Sequence, residues 1–449
     1  MSLWQRSKGY PMNDIQVGLI GFGNIGAGVV RLLQQNADVI RNKVGAGIRL
    51  KRIADLDITT DRGVTVEPGI LTTDVNAIFD DPEISVVIEL VGGYEPAKTF
   101  VLKAIEKGKH IVTANKALLA LHGDEIYAAA AKNNVEVQFE ASVGGGIPVL
   151  TAIKGNMAAN RFGSLFGIMN GTCNYILTRM TQEGADFGDV LKAAQELGYA
   201  EPDPTFDIEG VDTAHKLAIL ISLCFGTRID FKAIYTEGIS RISGLDVKFA
   251  NEFGYRIKLL AIGKLSDGQV EARVHPTMIP LHNPLADVNG VFNAIRLTGD
   301  FVGPVMFYGR GAGQNPTASA IVGDLIGLSR SMLAGAGRRM APLGFLDSEV
   351  GTIPVKPMAE IVSKYMLRFS ALDKPGVLAA IAGSLGSHGI SIESMVQTAH
   401  QADDATPVPI VIMTHEAREG AVQAALAEID RLDIICQKTS FIRIEDNLE

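Results

Sequence analysis

Paired cysteines, clustered histidines, long apolar runs and surplus positive charge are all missing from this sequence, and each absence excludes something. Its 449 residues hold three cysteines, Cys173, Cys224 and Cys436, far apart and without a CxxC pair. That spacing excludes a disulfide framework and a cysteine zinc site, and it suits a reducing compartment. The eight histidines are scattered and form no HExxH, so no transition-metal centre is expected. The longest apolar runs, such as LAILISLCF, are too short to span a bilayer. Forty-one Lys and Arg against fifty Asp and Glu leave a net charge of −9, which argues against a nucleic-acid or membrane-surface binder. The first twelve residues, MSLWQRSKGYPM, lack the apolar core of a signal peptide. The expectation is a soluble, cytoplasmic protein with no nucleic-acid or membrane partner.

What is present is ordinary globular material, 47% hydrophobic and 20% charged, with length for two or three domains. IQVGLIG (15–21) reads as a short buried strand, and FGNIGAGVVRLLQQN continues as a helix. IRLKRIAD is a second strand and SVVIELVGG a third, followed by a helix with Pro96 in its first turn and Gly108 just past its end. KHIVTANK reads as a fourth strand, 123–133 as the next helix, and VEVQFE as a fifth strand. This alternation implies an α/β fold, a Rossmann-type doubly wound parallel sheet covered on both faces.

After GGGIPV the pattern changes. Longer helical segments and the strand-like pieces SLFGIMN, EARVHPTMI, AIRLTG and PVMFYG suggest an α+β domain on an open sheet. A stretch with Pro342, Pro354 and Pro357 leads to a βαββαβ order: YMLRFSAL, helix 375–388, strands 390–397 and 408–414, helix 416–429 and a last strand. That is a ferredoxin-like unit of a size that can stand alone. The expected domains are 1–149 for a dinucleotide, 150–345 for substrate and dimerisation (with part of 310–340 packing back on the first), a 346–360 linker, and a regulatory 361–449.

Two segments carry chemistry. GFGNIG (Gly21, Phe22, Gly23, Asn24, Ile25, Gly26) fits GxGxxG where it should, after a strand and opening a helix. Gly21 permits the tight turn, Gly23 lets backbone approach a pyrophosphate, and Gly26 lets helix and strand pack closely. Asp55, ending the second strand, is placed for the ribose 2′-hydroxyl of NAD. Lys51, Arg52 and Arg62 are near enough in sequence to serve a 2′-phosphate instead, so NAD and NADP both stay open.

The second segment is EPDPTFDIEGVDTAHK (201–216), five carboxylates and a closing lysine ahead of an apolar helix. Its plain reading is electrostatic, acids at a positive helix N-terminus. Yet Asp212 and Lys216 are four apart and share one helix face, and a lysine opening a buried helix is costly unless paired. Such a lysine can act as a general acid held by Asp212, while the other carboxylates bind a substrate ammonium. His215 beside it points about 100° away and reads as packing or surface, and Cys173 reads as a small buried residue.

At these residues the sequence resembles the homoserine dehydrogenases. The resemblance rests on GFGNIG, TANK (113–116), EASVGGGIP (140–148), NGTCNYIL (170–177), GYAEPDPTFDIEGVDTAHK (198–216) and GRGAGQNPTAS (309–319), and LDKPGVLAAIAGSLGSHGISI (372–392) resembles an ACT module. It implies NAD- or NADP-linked interconversion of L-aspartate 4-semialdehyde and L-homoserine, on the route to threonine and methionine. Lys216 matches the family's catalytic lysine, with Asp212 as its neighbour, and Glu201 and Asp207 match positions that hold the substrate amino group. Lys116 matches a lysine at the cofactor–substrate junction. Gly198 and Gly313 match backbone contacts to the nicotinamide end, and Gly92, the first glycine of the pair ending SVVIELVGG, is counted with the cofactor residues. Glu140 with the backbone of Val143, Gly145 and Ile147 matches a monovalent-cation (sodium) site, although EASVGGGIP also reads as a hinge.

Arg310 departs from the family's usual proline, and Ala54–Asp55 from a basic residue common there. The ACT resemblance implies an amino-acid effector, L-threonine, near Asp373 and Gly376, and a homodimer or homotetramer. Two other readings stay beside this one: another amino-acid dehydrogenase, and a dinucleotide-binding sensor without catalysis.

Overall fold

The computed structural model describes residues 14–336, 340–397 and 407–448, so the N-terminal stretch read for a signal peptide lies outside it. Two compact units emerge. One takes in the chain up to Ala159, Ile219–Arg228 and Gly309–Gly351; the other holds Asn160–Ala218, Ile229–Tyr308 and the chain from Thr352 on.

The first unit is built on a parallel sheet of β1 (Ile15–Ile20), β2 (Ile48–Ala54), β3 (Leu71–Thr72), β4 (Ile84–Glu89), β5 (His110–Thr113) and β6 (Val137–Gln138). Their order is β3-β2-β1-β4-β5-β6, so the winding reverses between β1 and β4, where a doubly wound sheet opens its binding crevice. Val17, Leu19, Val86 and Ile88 are fully buried because helices cover both faces. Part of that cover comes from far along the chain: Ala318, Ile321, Val322 and Leu325 of the Gln314–Leu333 helix join the same core. The helix expected at 123–133 begins at Lys116 instead and runs to Lys132. Asn115 accepts from Leu118 N at 3.1 Å, and this side-chain cap turns the chain out of β5 seven residues early.

The second unit is a mixed sheet of β7 (Phe162–Ile168), β8 (Tyr235–Thr236), β9 (Tyr255–Ser266), β10 (Gln269–Pro280), β11 (Phe292–Gly299), β12 (Gly303–Arg310), β13 (Val362–Ala371), β14 (Ile392–Gln397), β15 (Val408–Thr414), β16 (Ala417–Arg418) and β17 (Ile435–Ile444). Its main order is β12-β11-β7-β9-β10-β17-β13-β15-β14. β9 has no counterpart in the sequence reading. Ile257 through Gly263 are all buried, so no alternation marks the strand, and such a run is equally a buried helix. It turns into β10 through Asp267 and Gly268, both at positive φ (51° and 73°), the two-residue turn a hairpin favours.

The C-terminal residues form the expected ferredoxin-like order, with helices Val377–Ser387 and Glu419–Ile429 packed on Tyr365, Leu367, Phe369, Ile410 and Ile412. Two details differ from expectation. The helix begins at Val377 rather than Pro375, because Gly376 takes a left-handed φ of 92° as its N-cap. And the unit does not stand alone: β17 pairs in parallel with β10 (Thr277 with Arg443, Met278 with Ile444), which makes the two sheets one. Among the described residues no helix is long and apolar enough to cross a membrane.

Candidate active site

Gly210, at φ 82°, joins the two elements that carry the acidic segment. Before it the turn Thr205–Ile208 carries Asp207; after it the helix Val211–Phe225 carries Asp212 and Lys216 one turn apart. Lys216 Nζ lies 2.7 Å from Asp212 Oδ2 and donates to Met169 O at 2.6 Å, with only 8% of the residue exposed. Two further groups, absent from the sequence reading, organise the carboxylates. Asn170 Nδ2 donates to Asp207 Oδ1 (2.7 Å) and to Asp212 Oδ2 (3.0 Å), while its Oδ1 caps the Gly171–Glu183 helix through Cys173 N. Thr172 Oγ1 lies 3.1 Å from Asp207 Oδ2. An Asn-Gly-Thr start to a helix is a cap signal readable in sequence. That its amide spans two carboxylates some forty residues on is not.

Two carboxylates against one ammonium leave the cluster one negative charge in excess, which suits a cationic group on a ligand. Glu201 is exposed in the loop ahead of Asp207, and its backbone carbonyl accepts from Gln195 Nε2 at 3.1 Å. Gly198 follows the Phe187–Glu196 helix at φ 73°. Cys173 is fully buried, and burial, then Asp207 and Asp212, push its thiol well above the usual range, unlike a nucleophile. His215 is fully buried in an aromatic stack, 4.3 Å from the Phe231 ring centroid and 5.5 Å from that of Phe206.

The first unit carries the glycine loop. A Cβ on Gly26 would stand 2.4 Å from Gly21 O, and one on Gly21 would stand 2.7 Å from Leu90, so both positions are packed solid. Gly23 has nothing within 4 Å of a Cβ and opens the twelve-residue helix Asn24–Gln35. That is a bare backbone cradle at a helix N-terminus, which fits a pyrophosphate. Gly23 and Asn24 are exposed and Ile25 partly so, whereas Phe22 is packed inside. Asp55, expected at the ribose, also braces the loop: its Oδ2 accepts Phe22 N at 2.5 Å and its Oδ1 accepts Asp57 N at 2.9 Å. Of the three candidate cations, Lys51 pairs with Asp81 and Glu83, and Arg52 folds back on Lys51 O. Only Arg62 reaches the loop, bonding Phe22 O and covering the Phe22 ring at 5.7 Å.

Beside the loop, buried Glu89 accepts from Val91 N, Gly92 N and Thr113 Oγ1 at 2.8, 3.2 and 2.7 Å. Asn115 Nδ2 donates to Gly93 O at 2.7 Å, which ties the turn holding Gly92 to the helix start at Lys116. Gly313, at φ 120°, caps the Gln314–Leu333 helix. Arg310 contributes its carbonyl to Gly146 N at 3.2 Å, a bond that proline would supply equally.

In EASVGGGIP the Glu140 carboxylate is buried and caps the Val149–Lys154 helix, accepting from Leu150 N (2.8 Å) and from Thr151 N (2.6 Å) and Oγ1 (2.5 Å). Gly145 (φ 53°) packs on the backbone of Gly311, while Val143 and Ile147 are buried. Among the described residues no three His, Cys, Asp or Glu gather as a metal cluster.

A doubly wound sheet with a bare glycine cradle, and a buried lysine held by a carboxylate and a carbonyl, fit a nicotinamide-dinucleotide oxidoreductase. The family model "Homoserine dehydrogenase, NAD binding domain" matches residues 21–140, "Homoserine dehydrogenase" matches 148–326, and "ACT domain" matches 365–433. Homoserine dehydrogenases of Neisseria gonorrhoeae and Pseudomonas aeruginosa are each 45% identical over 97% of this chain and 99% of their own. The crystal structure of a homoserine dehydrogenase from Thiobacillus denitrificans, 46% identical, superposes with a TM-score of 0.91 over 97% of this chain and all of that one. The chain belongs to the homoserine dehydrogenase family and is an NAD(P)-dependent oxidoreductase with a C-terminal ACT domain.

Proposed function

We propose that this enzyme interconverts L-homoserine and L-aspartate 4-semialdehyde in the cytoplasm, on the route to threonine and methionine. The observation that carries the reading is Lys216, buried and aimed by Asp212 and Met169 O inside a cluster with an excess negative charge. A bound nicotinamide supplies or takes up the hydride at the substrate's C4. Lys216 gives a proton to the oxygen that forms there when the aldehyde is reduced, and takes it back when the alcohol is oxidised. Two of its N–H groups are directed by Met169 and Asp212, and the third is assigned to the substrate oxygen. Asp207, with Glu201 at the loop's mouth, holds the substrate ammonium through charge-assisted bonds.

The dinucleotide is assigned to Gly21–Gly26, with Gly92, Lys116, Gly198 and Gly313 as further contacts. Arg62 is the group for a 2′-phosphate, which makes NADP acceptable beside NAD. A monovalent cation such as sodium would be held by the carbonyls of Val143, Gly145 and Ile147, with Glu140 supplying charge from its capping position. The ACT domain is assigned an amino-acid effector, threonine, at the turn of Asp373 and Gly376; Asp373 Oδ1 accepts from Gln397 Nε2 at 3.3 Å, so turn and second strand adjoin. β14 is the last strand of the sheet, a pairing edge for a homodimer or homotetramer. The test is nicotinamide absorbance with L-homoserine and NAD or NADP in turn. Turnover supports the reading; none with either cofactor overturns it.

A further inference from the structure

Arg443 of β17 is 1% exposed and is held from both halves of the second unit. Its Nε and Nη2 donate to the two oxygens of Glu419 at 2.9 and 2.7 Å. Its Nη1 donates to Glu237 Oε2 at 2.8 Å, and Nη2 donates to Tyr235 Oη at 3.1 Å. Tyr235 Oη donates in turn to Glu237 Oε2 at 2.8 Å, and Tyr365 Oη to Glu419 Oε2 at 2.9 Å. Glu419 and Tyr365 belong to the ACT domain, whereas Tyr235 and Glu237 belong to the catalytic part. Burial alone would raise the Glu419 carboxyl, but the bonds from Arg443 outweigh it and hold the group below its ordinary value. A buried guanidinium is costly to leave short of a partner, and this favours the partly exposed Glu237 carboxylate at Arg443 Nη1.

What Glu237 begins is a shelf beneath the substrate cluster. Ile239 N donates to Ile208 O at 2.8 Å, closing the turn that bears Asp207. A Cβ on Gly238 would stand 2.3 Å from Ile208 O and 2.5 Å from Glu209 Cα. Gly210, the joint to the helix of Asp212 and Lys216, lies against Thr236 and Val274; a Cβ there would be 3.2 Å from each. Residues 236–239 therefore lie against the end of the turn that bears Asp207 and against Gly210, which joins that turn to the helix of Asp212 and Lys216.

We infer that Arg443 and Glu237 form a positioning pair for substrate binding: the ACT domain's last strand sets the 236–239 shelf, and the shelf sets Asp207. This rests on the reading that Asp207 holds the substrate ammonium. The test compares Glu237→Gln, which keeps shape and removes the charge pair, with Gly238→Ala, which changes no residue's charge and sets one methyl group 2.3 Å from Ile208 O and 2.6 Å from Glu209 Oε2. Gly238 does not occupy a left-handed φ, so alanine strains only the contact. Sub-ångström displacement of a binding carboxylate is expected to raise KM for homoserine about tenfold in both variants, with kcat and the dinucleotide KM within about twofold. General loss of fold would instead lower kcat and broaden thermal unfolding with both KM values unchanged, and that outcome overturns the inference. Asp207→Asn is run alongside. A raised KM there with unchanged KM in the other two sinks the positioning role alone, and an unchanged KM in Asp207→Asn sinks the assignment of Asp207 and this inference with it.

Discussion

Lys216 illustrates how much a single residue depends on its neighbours for chemistry. Its ammonium is kept inside the fold by a carbonyl and a carboxylate at 2.6 and 2.7 Å, both geometrically fixed. Lys216→Ala removes the proposed proton donor and is expected to lower kcat by about 10²–10⁴-fold while dinucleotide affinity stays near normal. Steady-state kinetics with a dinucleotide titration check this, and near-normal turnover would remove Lys216 from the mechanism. A second lysine tells a different story. Lys258 of β9 is 1% exposed and donates to Val288 O at 2.6 Å, and burial pushes it down to about 7. The unfolded chain keeps that proton up to the ordinary value, so between the two values the unfolded state binds more protons. The residue's contribution to stability therefore rises with pH through that window, and its cost is complete below it. Lys258→Met should gain most relative to the parent near pH 6 and progressively less toward about pH 9. Urea unfolding at the two pH values decides, and a pH-independent difference would show that Lys258 does not titrate there.

Among the elements, the glycine loop and its braces form one device. Gly21 and Gly26 are fixed by packing, Asp55 by two backbone N–H groups, and Arg62 by Phe22. Gly23, with nothing within 4 Å of a Cβ, is left open at the helix start. A phosphate bonded to a guanidinium is worth roughly 1.5–3 kcal/mol, tenfold or more in affinity. Arg62→Ala is accordingly expected to raise KM for NADP about tenfold and KM for NAD about twofold or less. Equal losses for both cofactors would reduce Arg62 to a brace of the loop.

For the whole molecule, the decisive feature is that the ACT sheet and the catalytic sheet are continuous. Besides the β10–β17 pairing, Arg368 of β13 donates to both oxygens of Asp246 (2.7 and 3.0 Å), and Arg273 of β10 donates to Glu445 at 2.8 Å. Asp246 is itself buried as the capping-box acid of the Gly244–Glu252 helix. Cutting the chain after residue 360 would therefore expose the β10 edge and strand buried charges. The expected result is aggregation on size-exclusion chromatography with loss of turnover, not an unregulated enzyme. A soluble, active truncation would show that the shared sheet is dispensable. The proposed effector site is therefore to be tested in the full chain, at Asp373 or Gly376.

Read alone, the sequence determined what depends on local order. GFGNIG between strand and helix, the four-residue spacing of Asp212 and Lys216, and the βαββαβ sequence of the C-terminal part each persist in three dimensions, because each is set by neighbours along the chain. It left β9 unseen, since a strand buried on both faces carries no alternation, and it started the Lys116 helix late because the cap at Asn115 was overlooked. Only the tertiary structure decided that Asn170 spans Asp207 and Asp212, that Asp55 braces the loop, and that Arg443 reaches Glu237. Such contacts join residues tens to hundreds of positions apart, and they form only when packing has excluded water, so that a buried polar group must find a partner wherever the fold has placed one.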